Sequence, residues 1–257
     1  VIGEEASRII GAMDIIGDIA IIKVPPELEG RKALIGETIL KHLKHVKAVY
    51  RQLGGVTGEY RLRPLEHIAG EERTLTQHRE YGCIYLVDVK SVFFTPRLGG
   101  ERARIASLVR DGELVLNMFA GVGPFSILIA KRKPRSTVYS IEANPAAYDL
   151  LVKNIELNKV RGRVIPLLGD ARLLVPALEL AFDRVLMPYP EGSLGFIGVA
   201  LEAVKRGGFI HYYRFGRGIE QILEELKDLS SLSLRGWRRV REIAPYMAEY
   251  VLDFAKA

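Results

Sequence analysis

Cysteine is nearly absent from this 257-residue chain: Cys83 is the only one, so neither an internal disulfide nor a zinc site built from cysteines can form. That scarcity favours a reducing compartment, and a cytoplasmic location is expected. Long apolar runs are missing as well. The stretch from Met13 to Val24 is broken by Asp18 and Lys23 and falls short of the roughly 20 residues a membrane helix needs. There is no signal-peptide pattern, and an opening on Val rather than Met suggests trimming at the start. His67, His78 and His211 lack the spacing of metal ligands, so they are expected at the surface or in packing, and no metal is expected. With 48% hydrophobic and 26% charged residues, the chain suits one full α/β domain and a small companion, which excludes a disordered or fibrous protein.

Charge of one sign is not scarce but unevenly placed. The chain carries 37 Lys and Arg against 31 Asp and Glu, a formal net charge of +6. Between Arg31 and Arg63 stand eight basic residues and two acidic ones, Glu37 and Glu59. Lys41, Lys44, Lys47 and Arg51 follow at three- and four-residue steps, which predicts a helix over Ile35–Arg51 with these cations along one side. A second cluster, Arg235, Arg238, Arg239 and Arg241, has no acid among its members. Lysine stripes are often solvated helix faces, but two such clusters in one basic chain point to an RNA or DNA partner.

From Glu113 onward short β-rich runs alternate with helical ones. Strands are expected at Glu113–Asn117, Thr137–Glu142, Val164–Gly169, Phe182–Met187 and Phe209–Arg214. Asn144 followed by Pro145 marks a helix start, and Gly207-Gly208 is expected to end a helix beginning near Ser193. Trp237–Ile243 and Tyr246–Phe254, separated by Ala244-Pro245, predict an antiparallel hairpin appended to a parallel sheet. A doubly wound sheet closed this way is the class I methyltransferase arrangement, an α/β Rossmann-like fold. Residues 1–84 read as a small α+β domain with a β-rich Ala12–Val24 and a Gly-rich Gly54–Arg63, and residues 85–257 as the larger domain. Tyr85–Val89 and Phe93-Phe94 are expected to pair as a hairpin leading into a helix over Gly100–Arg110.

Three successive strand ends carry glycines or acids. The first runs into Asn117-Met-Phe-Ala-Gly121-Val-Gly123-Pro-Phe125, where glycines let a backbone approach a ligand. The second ends in Glu142, about 20 residues beyond Gly121, the spacing that sets an acid on a ribose. The third closes with Gly169-Asp170-Ala171, where an acid can meet an adenine amino group. A pyrophosphate-binding turn would want a third glycine where Ser126 stands, and Pro124-Phe125 supplies an apolar wall instead. A nucleoside without phosphates, S-adenosylmethionine, fits this pattern better than NAD.

The stretches Arg51–Arg63 (RQLGGVTGEYRLR), Glu80–Val89 (EYGCIYLVDV), Phe93–Arg102 (FFTPRLGGER), Asn117–Phe125 (NMFAGVGPF) and Ile210–Tyr213 (IHYY) resemble the tRNA guanine-37 N1-methyltransferases of archaea and eukaryotes. The resemblance spans both expected domains. It implies S-adenosylmethionine as donor, a tRNA bound near its anticodon and no membrane, with the protein expected as a monomer. It places the cofactor against Phe119, Gly121, Gly123, Glu142, Asp170 and Pro188, and the tRNA against Phe93, Arg97 and Pro190, while the stripe of Lys41, Lys44, Lys47 and Arg51, read from spacing, is expected to track its phosphates.

N1 of a neutral guanine carries a proton, so the enzyme must remove it while stabilising negative charge on O6. By the resemblance Glu101 is the general base and Arg61 the cation at O6, although on position alone Glu101 reads as an exposed acid in a first helical turn. Two positions depart from the family. Pro188 stands where the family typically has Asn, so any contact there must use its backbone carbonyl, and Phe93 stands where some relatives have Tyr. Longer members carry an extra N-terminal domain for the tRNA elbow, for which this chain has no room. Tyr189 leans towards the sister enzymes of wybutosine synthesis, which transfer an aminocarboxypropyl group from the same cofactor, whereas Pro96-Arg97-Leu98 and Gly123-Pro124-Phe125 look like the methyltransferase. A bifunctional methyltransferase, a non-catalytic RNA-binding module and a small-molecule methyltransferase are the other readings.

Overall fold

The computed structural model describes residues 13–257; Ala12, the first residue of the expected β-rich stretch, lies outside them. The chain divides into two compact units, one ending at Arg97 and the other beginning at Leu98, rather than between residues 84 and 85.

In the first unit, β1 (Asp14–Ile16), β2 (Ile19–Ile22), β3 (Ala48–Gln52) and β4 (Leu65–Gly70) form a sheet in that order. β2 and β3 are parallel, which requires a crossover, and α1 (Lys32–His42) is the helix in it. Ile35 of α1 packs with Ala20, Ile22, Leu28, Val46, Val49 and Ala69 into one apolar core. The expected helix over Ile35–Arg51 is therefore too long. It stops at His42, because Val46, Ala48, Val49 and Tyr50 are all buried and the last three are extended in β3, where β-branched and aromatic residues fit. The second departure is at the hairpin. Cys83–Asp88 (β6) pairs with Leu75–Glu80 (β5) across the two-residue turn Tyr81-Gly82, not with Phe93-Phe94. Phe94 is buried instead, its ring centroid 5.0 Å from that of His78 and 6.2 Å from that of Tyr85.

The second unit opens with α2 (Gly99–Leu108) and continues as β7 (Leu114–Asn117), α3 (Pro124–Arg132), β8 (Thr137–Glu142), α4 (Pro145–Leu157), β9 (Val164–Leu168), α5 (Ala171–Ala177), β10 (Phe182–Met187), α6 (Ile197–Ala203), β11 (Val204–Gly216), α7 (Ile219–Glu225), β12 (Leu232–Ala244) and β13 (Met247–Lys256). Its seven strands lie in the order β12-β13-β11-β10-β7-β8-β9. Five are parallel, and the final hairpin inserts β13 antiparallel between β11 and β12. The order reverses at β7, so the crevice beyond the carboxyl ends of β7 and β10 is where a doubly wound sheet binds ligands. Asn144 caps α4 as expected, accepting from the Ala146 N–H at 3.0 Å. Gly207-Gly208 does not end a helix: α6 stops at Ala203, and the pair sits within β11, where the register against β10 slips between Phe182 and Arg184.

Candidate active site

The first loop of the crevice is fixed from within. Asn117 at the end of β7 donates from Nδ2 to Ser126 Oγ at 3.0 Å, and Ser140 on β8 reaches the same hydroxyl at 2.8 Å. Asn154 on α4 donates to the Val122 carbonyl at 3.0 Å. Gly123 lies at φ +94°, and a Cβ there would fall 2.5 Å from Leu151 Cδ1. Only glycine suits both the left-handed backbone and that close approach.

Glu142, at the end of β8, faces this loop. Its carboxylate accepts from the Gly121 N–H at 2.6 Å and the Asn144 N–H at 2.8 Å, so one side chain ties the first two strand ends together. Burial pushes the Glu142 carboxyl up, while the backbone donors favour its ionised form. A carboxylate has about four lone-pair sites, so acceptor capacity is left for ribose hydroxyls. Asp170 caps α5 by accepting from the Arg172 N–H at 2.8 Å, and the Arg172 guanidinium beside it holds its carboxyl below the usual range. Gly121, Gly123, Glu142 and Asp170 thus fit a nucleoside.

Phe119, two residues beyond the end of β7, centres an aromatic cluster. Its ring lies 5.1 Å from Tyr189 and 4.9 Å from Phe196, and the Arg172 guanidinium stacks 5.1 Å over Phe196. Pro188 and Pro190 flank Tyr189 on the turn after β10, and Ser193 Oγ lies 2.9 and 2.8 Å from the Met187 and Tyr189 carbonyls. The turn also needs Gly192, where a Cβ would fall 2.1 Å from the Tyr189 ring. Phe196 and Arg172 carry no motif, and sequence reading missed both.

Glu101 stands in the first turn of α2 and is 3% exposed, not the solvent-facing acid its position suggests. Arg104, one turn on, forks onto it with Nε to Oε2 at 2.9 Å and Nη2 to Oε1 at 2.7 Å. Tyr213 on β11 donates to Oε1 at 2.7 Å, and Arg238 on β12 approaches Oε2 to 3.8 Å. Behind it runs a chain of charges. Arg104 pairs with Asp253 at 2.6 Å, Asp253 Oδ1 lies 2.5 Å from His211 Nδ1, and His211 Nε2 lies 2.6 Å from Arg184. Arg184 closes on Glu113 at 2.8 and 3.0 Å. His211 is wholly buried, and burial pushes it down, so it is neutral, with Nδ1–H donating to Asp253. Of the two places expected for it, surface and packing, it takes the second, inside a polar network. His211 stands in the family-like stretch IHYY, which assigns it no role, and for Asp253 the only signal was alternation along β13, which does not distinguish a buried polar residue from an outward-facing one.

In the first unit Arg61 is 8% exposed, with φ +56° and its guanidinium 4.3 Å over the Phe93 ring. Arg97 and Arg63 share Asp14 at 2.6 and 3.1 Å. The basic residues do not form a stripe on one helix. Lys41 is in α1, Lys44 and Lys47 are exposed in the connection that follows, and Arg51 on β3 is held by Glu29 and Glu66. Arg51 is thus an ion-pair partner within the fold rather than a member of a phosphate track. Among the described residues, no helix is long and apolar enough to cross a membrane.

The strand order and the three-sided nucleoside crevice define a class I S-adenosylmethionine-dependent methyltransferase fold. The TRM5/TYW2 methyltransferase domain matches residues 76–233, and the TYW2 N-terminal domain matches residues 3–74. The chain is 42% identical to the tRNA (guanine(37)-N(1))-methyltransferase Trm5b of Pyrococcus abyssi, over 95% of this chain and 74% of that protein. It is 34% identical to the tRNA(Phe) (4-demethylwyosine(37)-C(7)) aminocarboxypropyltransferase of Methanocaldococcus jannaschii, over 93% of this chain and 95% of that protein. Among solved structures, the complex of aTrm5 and tRNALeu superposes with a TM-score of 0.90 at 39% identity, covering 98% of this chain and 74% of that one. The chain belongs to the TRM5/TYW2 methyltransferase family.

Proposed function

We infer that this chain is an S-adenosylmethionine-dependent tRNA (guanine-37 N1)-methyltransferase. The observation that carries the reading is the 42% identity with the Pyrococcus abyssi enzyme over 95% of the chain. The buried, three-donor Glu101 carboxylate suits a base at guanine N1. Phe119, Gly121, Gly123, Glu142 and Asp170 hold the cofactor, whose role when bound is to supply the methyl group. Pro188 closes that pocket through its backbone. In our reading Arg61, stacked on Phe93, meets the developing charge on O6, Arg97 and Pro190 bound the target nucleotide, and Lys41, Lys44 and Lys47 meet phosphates. The first unit is an RNA-binding domain in this proposal, and the protein acts as a cytoplasmic monomer.

Aminocarboxypropyl transfer is the second reading. The match of residues 3–74 to the TYW2 N-terminal domain favours it, as does Tyr189 on the turn after β10. Mass spectrometry of an unmodified tRNA transcript incubated with protein and cofactor separates the two, because the product gains either a methyl or a larger aminocarboxypropyl group at position 37. With methyl transfer established, Glu101→Gln is expected to keep tRNA and cofactor affinity yet slow single-turnover methylation by at least ~10-fold, with Arg61→Ala similarly impaired. Full speed in Glu101→Gln would remove the base assignment.

A further inference from the structure

We propose that Tyr213, Arg104 and Asp253 are positioning residues that leave a single lone pair of Glu101, on Oε2, to take the N1 proton; this rests on the methyltransferase reading. A carboxylate offers about four acceptor sites. Oε1 is filled by Tyr213 Oη and Arg104 Nη2, both at 2.7 Å, and Oε2 accepts once, from Arg104 Nε at 2.9 Å. The fourth site is on Oε2, where, among the described residues and besides Arg104 Nε, the half-exposed Arg238 comes no nearer than 3.8 Å. With its side chain 1% exposed, Glu101 is oriented by protein donors rather than by water, and its usable lone pair has one direction.

Asp253 has a separate task. Before reaction Glu101 and Asp253 are two anions around one cation, Arg104. The proton leaves N1 for Oε2, the N1 electron pair forms the bond to the methyl carbon, and the sulfur–carbon bond of the donor breaks with its pair going to sulfur. Glu101 becomes neutral, and Arg104 keeps Asp253 as its counter-ion. Without Asp253 the same step would strand Arg104 as an uncompensated, largely buried cation, which is costly. The other groups facing the pair are Tyr213 and His211 from β11 and Arg238 from β12. His211, pushed down by burial, stays neutral and holds Asp253 in place.

The test is a double-mutant cycle read by single-turnover methylation of a tRNA transcript, with tRNA and cofactor dissociation constants and melting temperatures measured alongside. Tyr213→Phe, which loses one hydroxyl, and Asp253→Asn should each slow the chemical step about 10- to 100-fold while leaving both affinities unchanged. In a Glu101→Gln background neither should slow it further, because both act through Glu101. Effects that multiply with Glu101→Gln, or a Tyr213→Phe enzyme at wild-type speed, would overturn the positioning role while the methyltransferase reading stands. A wild-type protein inert on the transcript would instead overturn the reading of function and this inference with it.

Discussion

Single residues in this molecule do more than one thing, and Glu142 is the clearest case. The β8 strand delivers it to the crevice, where it accepts from the Gly121 and Asn144 N–H groups at 2.6 and 2.8 Å. The side chain that would hold the ribose therefore also shapes the loop around it. Removing a charged acceptor from two hydroxyls costs on the order of 1.5–3 kcal/mol, so calorimetry on Glu142→Ala should show S-adenosylmethionine affinity reduced by about ten- to a hundredfold. Unchanged affinity would place the pocket elsewhere. The spacing from Gly121 to Glu142 was legible because a strand–loop–helix–strand crossover has a nearly fixed length. Glu101 was legible only through its resemblance to a family, since nothing local says that a first-turn acid is buried beneath Tyr213 and Arg104.

At the scale of elements, the polar chain joining α2, β10, β11 and β13 should give folding a distinct pH dependence. Burial depresses His211 below the ordinary value of 6.5, against the opposing pull of Asp253. A neutral buried histidine contributes stability that is complete above the unfolded value. It is lost as pH falls, because the unfolded chain binds a proton that the folded one refuses. The unfolding free energy should therefore decline below pH 6.5 by up to about 1.4 kcal/mol per pH unit, lowering the melting temperature with it, and His211→Gln should flatten that decline. Asp253, held well below the carboxylate range, adds its own loss only below its ordinary value of 3.8, so the two windows separate. A wild-type melting temperature level from about pH 7 to pH 5 would contradict a neutral buried His211. The parallel strands and the closing hairpin were readable because β-rich runs bounded by Gly, Pro and Asp leave few alternatives. The end of α1 was not: three- and four-residue spacing of cations continues to Arg51, but Val49 and Tyr50 belong to the sheet core. There burial overrides a surface pattern. The pairing of β5 with β6 was missed for a related reason, because Leu75–Glu80 is largely polar and only the Tyr81-Gly82 turn marks the hairpin.

On the scale of the whole molecule, the expected site residues divide between two units, each with a core of its own. Phe119, Gly121, Gly123, Glu142, Asp170 and Pro188 follow Leu98, as does Glu101, whereas Arg61, Phe93, Arg97 and the lysines precede it. The second unit has an apolar core running from Leu116 and Met118 through Val185 and Ile210 to Phe254, drawn wholly from its own residues. A segment with a closed sheet order and a self-contained core can fold alone. Residues 98–257 expressed by themselves should therefore bind S-adenosylmethionine with about the affinity of the full chain, since every expected cofactor contact is present. They should not methylate tRNA at a measurable rate, because Arg61, proposed as the cation at O6, and its stacking partner Phe93 are gone. Calorimetry with the cofactor and single-turnover assays with a tRNA transcript check the two halves of this prediction separately. A fragment that folds by circular dichroism but fails to bind the cofactor would mean that Phe119, Gly121, Gly123, Glu142, Asp170 and Pro188 are not sufficient to hold the nucleoside. A fragment that methylates at the full-length rate would remove Arg61 from the chemistry and leave Glu101 to act without a counter-charge from the first unit.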